Sequence, residues 1–352
     1  VTITDIAPAA TSGRRVTPAA RLVLPSTASR EQWLAARGSG LGSSDIPQVL
    51  EVTEYGTPSH VYYNKIGELD EREDAGEAAL WGTLHEDTVA REWARRNKSA
   101  IRKVGLVANV EHPHRMTTLD RRVTVCPLSQ RAVESCALEV KTRSAFLAGK
   151  WKRSIPDDVL SQVLWQIATT GYDHIHGVVL IGGNDYRQFT VYRRDHEQLL
   201  ADILTIADRL WFEHIVPRRP PAPSGNPEAL LDLYDELHPD RTGIAHLDRD
   251  LDAYEALQEY MEAANVEKAA NSRKAAARAV MVNALGDAEI GVIGDKPVFT
   301  YKQVGRDSVN TARLAEHFPE AYDECVSRGE SRRFDIDHKY RKSWRSFDDD
   351  AR

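Results

Sequence analysis

Cysteine is scarce in this chain: Cys126, Cys136 and Cys325 are the only three in 352 residues, and none has a partner at short spacing. Such usage argues against a disulfide framework and a zinc ribbon, falls short of the four thiolates of an iron–sulfur cluster, and fits a reducing cytosol. Long apolar runs are missing too. Without a stretch of about eighteen apolar residues or a signal-peptide pattern, the expectation is a soluble, cytoplasmic protein with no membrane partner. Nor is there an excess of basic charge: 46 Lys and Arg stand against 53 Asp and Glu, a formal net charge of -7. Any nucleic-acid surface therefore has to be local. No G-x-x-x-x-G-K-[ST] loop occurs, which excludes a P-loop motor, and no G-x-S-x-G elbow marks a serine hydrolase.

What is present falls into four stretches. Residues 1–25 mix Ala, Thr, Pro and Arg without periodicity and read as a flexible arm. Residues 26–216 carry the pattern of a mixed α/β core. Ser29 and Gln32 have capping-box spacing, which predicts a helix that turns Trp33 and Leu34 inward and stops near Gly38. The loop Gly38-Ser39-Gly40-Leu41-Gly42-Ser43-Ser44-Asp45 leads into a short helix, a second short helix spans 58–67, and a longer one over 78–97 offers Leu80, Leu84, Val89 and Trp93 to the core. Strands are expected over 103–110, 115–118, 122–126 and 136–142, then a helix over 157–171. A hairpin follows, with arms 176–181 and 188–192, and then a helix over 195–215. The proline-rich segment 217–228 reads as a linker. Residues 229–352 form an extension: a long helix or helical hairpin over 247–285, with Leu247, Leu251, Tyr254, Leu257 and Met261 at helical spacing, and a hairpin over 289–304 turning at Gly294-Asp295. Its basic, aromatic tail, Arg332 to Arg345, is a candidate contact for DNA or for a neighbouring subunit.

The chemistry concentrates in Leu138-Glu139-Val140-Lys141. Side chains alternate along a strand, so Glu139 and Lys141 share one face while Leu138 and Val140 pack behind them. A lone Glu–Lys pair on a strand is most often an ordinary surface pair. Here it is preceded by Asp120 and by Glu86, which follows Trp81-Gly82, and is followed by Gln162 on the next helix. An acid from a neighbouring strand brings two carboxylates and an ammonium to one point, the donor set of a hard divalent cation acting on a phosphate. Arg37 with Ser43 and Ser44 forms a second grouping: backbone N–H groups at a helix start cradle anions, and arginine adds a forked donor. The histidine pairs His112-Pro113-His114 and His174-Ile175-His176 read as plain surface or core histidines rather than as metal ligands.

In this order the motifs resemble the PD-(D/E)xK nuclease superfamily, and within it the YqaJ-type viral recombinases related to bacteriophage lambda exonuclease. The resemblance covers residues 29–215 and rests on Trp33 to Arg37, Gly42-Ser43-Ser44-Asp45-Ile46, Trp81-Gly82 with Glu86, Thr118-Leu119-Asp120, Leu138-Glu139-Val140-Lys141 and Ser161-Gln162. Leu119 stands where the superfamily's name has proline, at a position that varies widely. The resemblance implies a restriction-endonuclease-like core, a central mixed sheet flanked by helices. It also implies a metal site of Asp120, Glu139 and the Val140 carbonyl completed by Glu86, with Lys141 and Gln162 managing the attacking water, and a 5′-phosphate pocket at Arg37, Ser43 and Ser44. The implied activity is a Mg²⁺-dependent (alternatively Mn²⁺-dependent) 5′→3′ exonuclease on double-stranded DNA ends. It would leave 3′ overhangs for a single-strand annealing protein of RecT/Beta type, work as a homo-oligomer such as a trimeric ring, and be placed in a bacterial host's cytoplasm if phage-encoded. A superfamily endonuclease and a catalytically inactive DNA-binding module are the alternatives.

Overall fold

The β-branched and apolar runs of the first two-thirds of the chain assemble into two sheets wrapped by helices. The computed structural model describes residues 14–69, 76–129, 136–305, 308–327, 334–337 and 340–341. It divides into two compact units, 1–241 and 242–352. In the first, chain order is β1 (Ala20–Leu24), α1 (Arg30–Arg37), α2 (Ile46–Val49), α3 (Pro58–Ile66), α4 (Gly76–Arg96), β2 (Ala100–Arg102), β3 (Leu106–Asn109), β4 (Met116–Thr118) and β5 (Arg121–Val125). There follow β6 (Cys136–Arg143), α5 (Asp157–Thr170), β7 (His174–Ile181), β8 (Asp185–Tyr192), α6 (Glu197–Arg209) and α7 (Pro227–Leu237). The central sheet has the order β2-β5-β6-β7-β8, parallel between β6 and β7 and antiparallel elsewhere, and a smaller sheet has the order β1-β3-β4. This is the mixed α/β core that the sequence pattern predicts, in the form the resemblance implies, a mixed sheet flanked by helices.

Local signals account for much of it. Ser29 and Gln32 close the expected capping box: the Gln32 N–H donates to Ser29 Oγ at 3.2 Å and the Ser29 N–H to Gln32 Oε1 at 3.1 Å. Gly67 and Gly171 end α3 and α5 in the left-handed region, at φ 80° and 75°, which glycine adopts without steric penalty. The parallel β6 and β7 strands are joined through α5, the crossover that parallel pairing requires. Val89, Ala90 and Trp93 of α4 pack with Leu138, Val140 and Val178 on one face of the sheet. Val159, Val163 and Ile167 of α5 pack with Ala137 and Val179 on the other.

Three expectations change. Ala20–Leu24 is not part of a loose arm: it pairs with β3, and Ala20 is fully buried. Leu80 and Leu84 are not core residues. They are 52% and 56% exposed, because the first half of α4 runs beside a cleft, where Ala78, Ala79 and Gly82 line the wall, and only its second half lies over the sheet. The proline-rich stretch does not end the first unit either. Gly225 passes close to Thr57, and α7 buries Leu230 and Leu233, so the unit extends to Arg241.

In the second unit α8 (Leu251–Leu285) is one continuous helix rather than a helical hairpin, capped by Asp250, whose carboxylate accepts from the Ala253 N–H at 3.0 Å. Of its expected apolar stripe Met261 is buried, while Leu251 and Tyr254 are 68% and 50% exposed. The expected hairpin forms as β9 (Ile290–Ile293) and β10 (Lys296–Thr300), followed by α9 (Thr311–His317) and α10 (Pro319–Cys325). Most of the basic tail lies outside the described residues. Among the described residues, no helix is long and apolar enough to cross a membrane.

The small sheet depends on one close approach. A Cβ at Gly105 would stand 1.7 Å from the Leu24 carbonyl oxygen, against backbone that has no rotamer to change. Gly105→Ala is expected to destabilise the fold by about 1–3 kcal/mol, the usual penalty for an overpacked position, and a urea midpoint unchanged from the parent would refute it.

Candidate active site

Asp120 occupies the corner where the chain leaves β4 in the small sheet and enters β5 in the central one. β5 pairs with β6 only as far as Leu138, so the next stretch of β6 has its edge open toward that corner. Asp120 fills the gap: its Oδ2 accepts from the Val140 N–H at 2.7 Å. In a strand the N–H and C=O of one residue leave on the same edge, so the Val140 carbonyl also faces the Asp120 side.

Glu139 and Lys141 point to the opposite face from Leu138, toward α5. Lys141 Nζ lies 2.5 Å from Glu139 Oε1 and donates to Gln162 Oε1 at 2.8 Å. Gln162 Nε2 in turn donates to Glu139 Oε1 at 2.8 Å, and Gln166 Nε2 donates to Oε2 at 2.7 Å. The Glu139 side chain is 1% exposed and Lys141 only 16%, so the triangle is largely shielded from water and correspondingly strong. Burial and the neighbouring Glu139 carboxylate together push the Asp120 pKa well above the usual carboxylate range, against the opposing pull of Lys141. A buried acid, Glu139, and a half-buried one, Asp120, that repel each other, an open-edged backbone carbonyl and a third acid nearby form an all-oxygen donor set. That set suits a hard divalent cation such as Mg²⁺.

Glu86 is the third acid. It lines a cleft of about 1050 Å³ together with Asp120, Glu139, Lys141 and Gln162, and also a smaller one of about 440 Å³ on the other side of Asp120. Its carboxylate is engaged by Arg121, whose guanidinium lies 2.5 Å from Glu86 Oε1, 2.9 Å from Asp87 Oδ1 and 2.5 Å from the Asp120 carbonyl. Arg121 is 3% exposed at the side chain and ties α4 to the Asp120 corner. Nothing in its sequence surroundings singled it out. Gln166 lies one helical turn beyond Gln162, a spacing that puts both on one face and in the sequence makes it available to hold a water or phosphate; in the structure it holds Glu139 instead.

Arg37, Ser43 and Ser44 come together beside β4. Ser43 Oγ accepts from Thr117 Oγ1 at 3.0 Å, three residues before Asp120, and the Trp33 indole donates to Thr118 Oγ1 at 3.2 Å. Arg37 donates to Ser44 Oγ at 2.9 Å and stacks over Trp33 at 5.1 Å. The organiser is Asp45, which sequence reading noted without giving it a role. It accepts from Arg37 at 2.5 Å, from Lys65 at 2.7 Å and from the Gly42 N–H at 2.7 Å. Burial alone would raise its pKa; Lys65 and Arg37 outweigh that and hold it well below the ordinary value. Asp45 is the residue before α2 and makes no side-chain cap bond there; its carboxylate is engaged by Arg37, Lys65 and Gly42 instead.

Of the discounted histidines, His114 is a core residue, bonded to Asp208 at 2.8 Å and stacked on Trp211. His174 and His176 meet Cys126 and Cys136 at the far end of the sheet.

Residues 32–173 match the family model described as the YqaJ-like viral recombinase domain. A Bacillus subtilis (strain 168) protein described as "Uncharacterized protein YqaJ" is 27% identical over 312 residues, 88% of this chain and 94% of that one. Among solved structures, an alkaline exonuclease (LHK-Exo) from Laribacter hongkongensis is similar at 16% identity and a TM-score of 0.42, covering 59% of this chain and 99% of that one. The structure of LHK-Exo in complex with dAMP is similar at 19% identity and a TM-score of 0.42, covering 52% of this chain and 91% of that one.

Proposed function

Because residues 32–173 match the model of the YqaJ-like viral recombinase domain, we propose that this chain is a metal-dependent 5′→3′ exonuclease on double-stranded DNA ends that prepares 3′ overhangs for strand annealing. The observation that carries the reading is the hydrogen-bonded Asp120–Glu139–Lys141–Gln162 constellation lining the larger cleft, with buried Glu139 at its centre. Asp120, Glu139, the Val140 carbonyl and Glu86 would hold Mg²⁺, with Mn²⁺ as an alternative. The bound cation would supply Lewis-acid stabilisation of charge on the phosphate oxygens and a more acidic water.

The chain's own residues do the rest. Lys141 uses two of its three N–H donors on Glu139 and Gln162, which leaves one aimed by that tether for the attacking water or a scissile phosphate oxygen. Gln162, bridging Lys141 and Glu139, keeps both from swinging away. Gln166 restrains the second Glu139 oxygen. Glu139 has about four lone-pair directions of which three are taken by these contacts, so one remains for a cation. Arg37, Ser43 and Ser44 would receive the 5′-phosphate of the strand being degraded, with Asp45 and Lys65 fixing their positions.

The partners follow from the same reading: duplex DNA ends, a single-strand annealing protein of RecT/Beta type, and further copies of this chain in a homo-oligomer such as a trimeric ring. The test is digestion of linear duplex labelled at either end, with and without a 5′-phosphate and Mg²⁺, beside a covalently closed plasmid. Release of 5′-terminal nucleotides and survival of the plasmid support the reading; nicking of the plasmid favours an endonuclease, and no cleavage at all favours a DNA-binding module.

Arg37→Ala is expected to lower kcat/KM on 5′-phosphorylated ends roughly 10- to 100-fold, the loss of one or two charge-assisted hydrogen bonds, with a much smaller effect on 5′-hydroxyl ends. An equal loss on both ends would remove the phosphate pocket from the reading. Gln166→Leu is expected to lower kcat several-fold with KM little changed, because it frees a Glu139 oxygen without touching the DNA path. A pure KM effect would contradict that assignment.

A further inference from the structure

Cys126 and Cys136, ten positions apart in sequence, and His174 with His176 meet at the end of the central sheet remote from Lys141. Their four ligand atoms all lie within 4.8 Å of one another. Cys126 Sγ is 3.2 Å from His174 Nε2 and 3.4 Å from His176 Nε2. An ion with metal–sulfur distances of about 2.3 Å and metal–nitrogen distances of about 2.0 Å in tetrahedral array sets ligand–ligand edges of roughly 3.3 to 3.8 Å. The two edges from Cys126 Sγ, 3.2 and 3.4 Å, are close to that range, and the remaining edges are no longer than 4.8 Å.

The topology explains the convergence. Cys126 follows the last residue of β5, Cys136 begins β6, and His174 begins β7. β5 and β6 are paired antiparallel with Val123 opposite Cys136, and β6 and β7 run parallel with Ala137 opposite Ile175. His174 and His176, two residues apart on one strand, face the same side. That side is the one covered by α4: the His176 ring lies 5.1 Å from that of Trp93, and Cys126 and Cys136 belong to the same apolar cluster. Glu139 lies on the opposite face, three residues and about 10 Å further along β6.

We infer that Cys126, Cys136, His174 and His176 form a closed zinc site, structural in role and separate from the catalytic cation. Sulfur and imidazole donors in a tetrahedron select Zn²⁺ over the hard cations that suit Asp120 and Glu139. Four protein ligands leave no open position, and Cys126, Cys136 and His176 are 1%, 1% and 4% exposed, so the ion has no place for a substrate. The surroundings are built as metal sites are: His176 Nδ1 is 3.1 Å from Thr190 Oγ1, a contact that fixes the ring with Nε2 toward the ion. Binding converts the two thiols to thiolates and releases two protons per ion. The ion pins the ends of three strands, and through β6 it sets the register from which Glu139 and Lys141 project.

The test is metal analysis of the full-length chain purified under reducing conditions without a metal-affinity step, then a Co²⁺ titration of the zinc-stripped chain. One Zn²⁺ per chain is expected, retained in Glu139→Gln, together with thiolate-to-cobalt charge-transfer and tetrahedral d–d bands. Cys126→Ser and His176→Ala should abolish both signals. Since those variants remove core side chains, Thr190→Val serves as the milder one and is expected to weaken zinc affinity by about 10- to 100-fold while the chain stays folded. Absence of zinc with no cobalt–thiolate band, or a Cys126–Cys136 disulfide in the native protein, would overturn the inference. Neither readout depends on nuclease activity, so failure here and failure of the proposed function are distinguishable.

Discussion

Glu139→Gln is expected to reduce DNA degradation by about three orders of magnitude or more, the rate equivalent of several kcal/mol of lost transition-state stabilisation. The substitution removes the charge that neutralises Lys141 and one carboxylate of the donor set, while an amide of the same size still fills the space between Lys141, Gln162 and Gln166. Its measurement is single-turnover release of 5′-nucleotides beside a thermal melt: activity within tenfold of the parent would refute the site. Asp120→Asn is expected to be equally inactive yet more stable without divalent cations. The folded chain holds the Asp120 proton more tightly than the unfolded one, whose value is 3.8. Stability is therefore lost as pH rises from 3.8 through the higher folded value, and the neutral amide escapes that loss. At neutral pH the variant should melt above the parent in chelator, and the parent should gain more on adding Mg²⁺. A lower melt for the variant under chelator would show that Asp120 and Glu139 do not repel as described.

Asp45→Asn should be among the most damaging single changes to stability, at about 3–5 kcal/mol, the loss expected when one partner of a buried ion pair is removed. Lys65 is 0% exposed at its side chain and has Asp45 at 2.7 Å, so the variant strands a buried ammonium beside Arg37. The pH dependence has a definite sign. The folded pKa of Asp45 is depressed, so its contribution is complete above the unfolded value of 3.8 and declines as pH falls below it. Urea unfolding of parent and variant should therefore differ most at neutral pH and converge in acid; a constant gap would assign the effect to packing instead.

The helix starts and stops were legible because they are local. Ser29 with Gln32, Gly67 and Gly171 each act within a turn of their own positions. Glu139 and Lys141 were legible for the same reason, since alternation along one strand places them on one face whatever surrounds it. Asp45 was harder: a buried acid can be recognised only through Lys65, twenty positions on. Arg121 escaped because its partners, Glu86 and Asp87, sit on a helix far earlier in the chain. Leu80 and Leu84 misled because helical periodicity says which residues share a face, not how far along the helix the sheet reaches.

By itself the amino-acid sequence determined most elements between α1 and α6, the α/β class and the identity of the acids and lysine, all properties set by spacing of a few residues. Only the tertiary structure decided that β5 stops pairing at Leu138 and so leaves the Val140 edge to Asp120, that Glu86 is shared with a buried arginine, and that Cys126, Cys136, His174 and His176 converge. Those results depend on strand register and chain crossings, where residues tens of positions apart are brought within a few ångströms. No short-range pattern of side chains encodes that proximity.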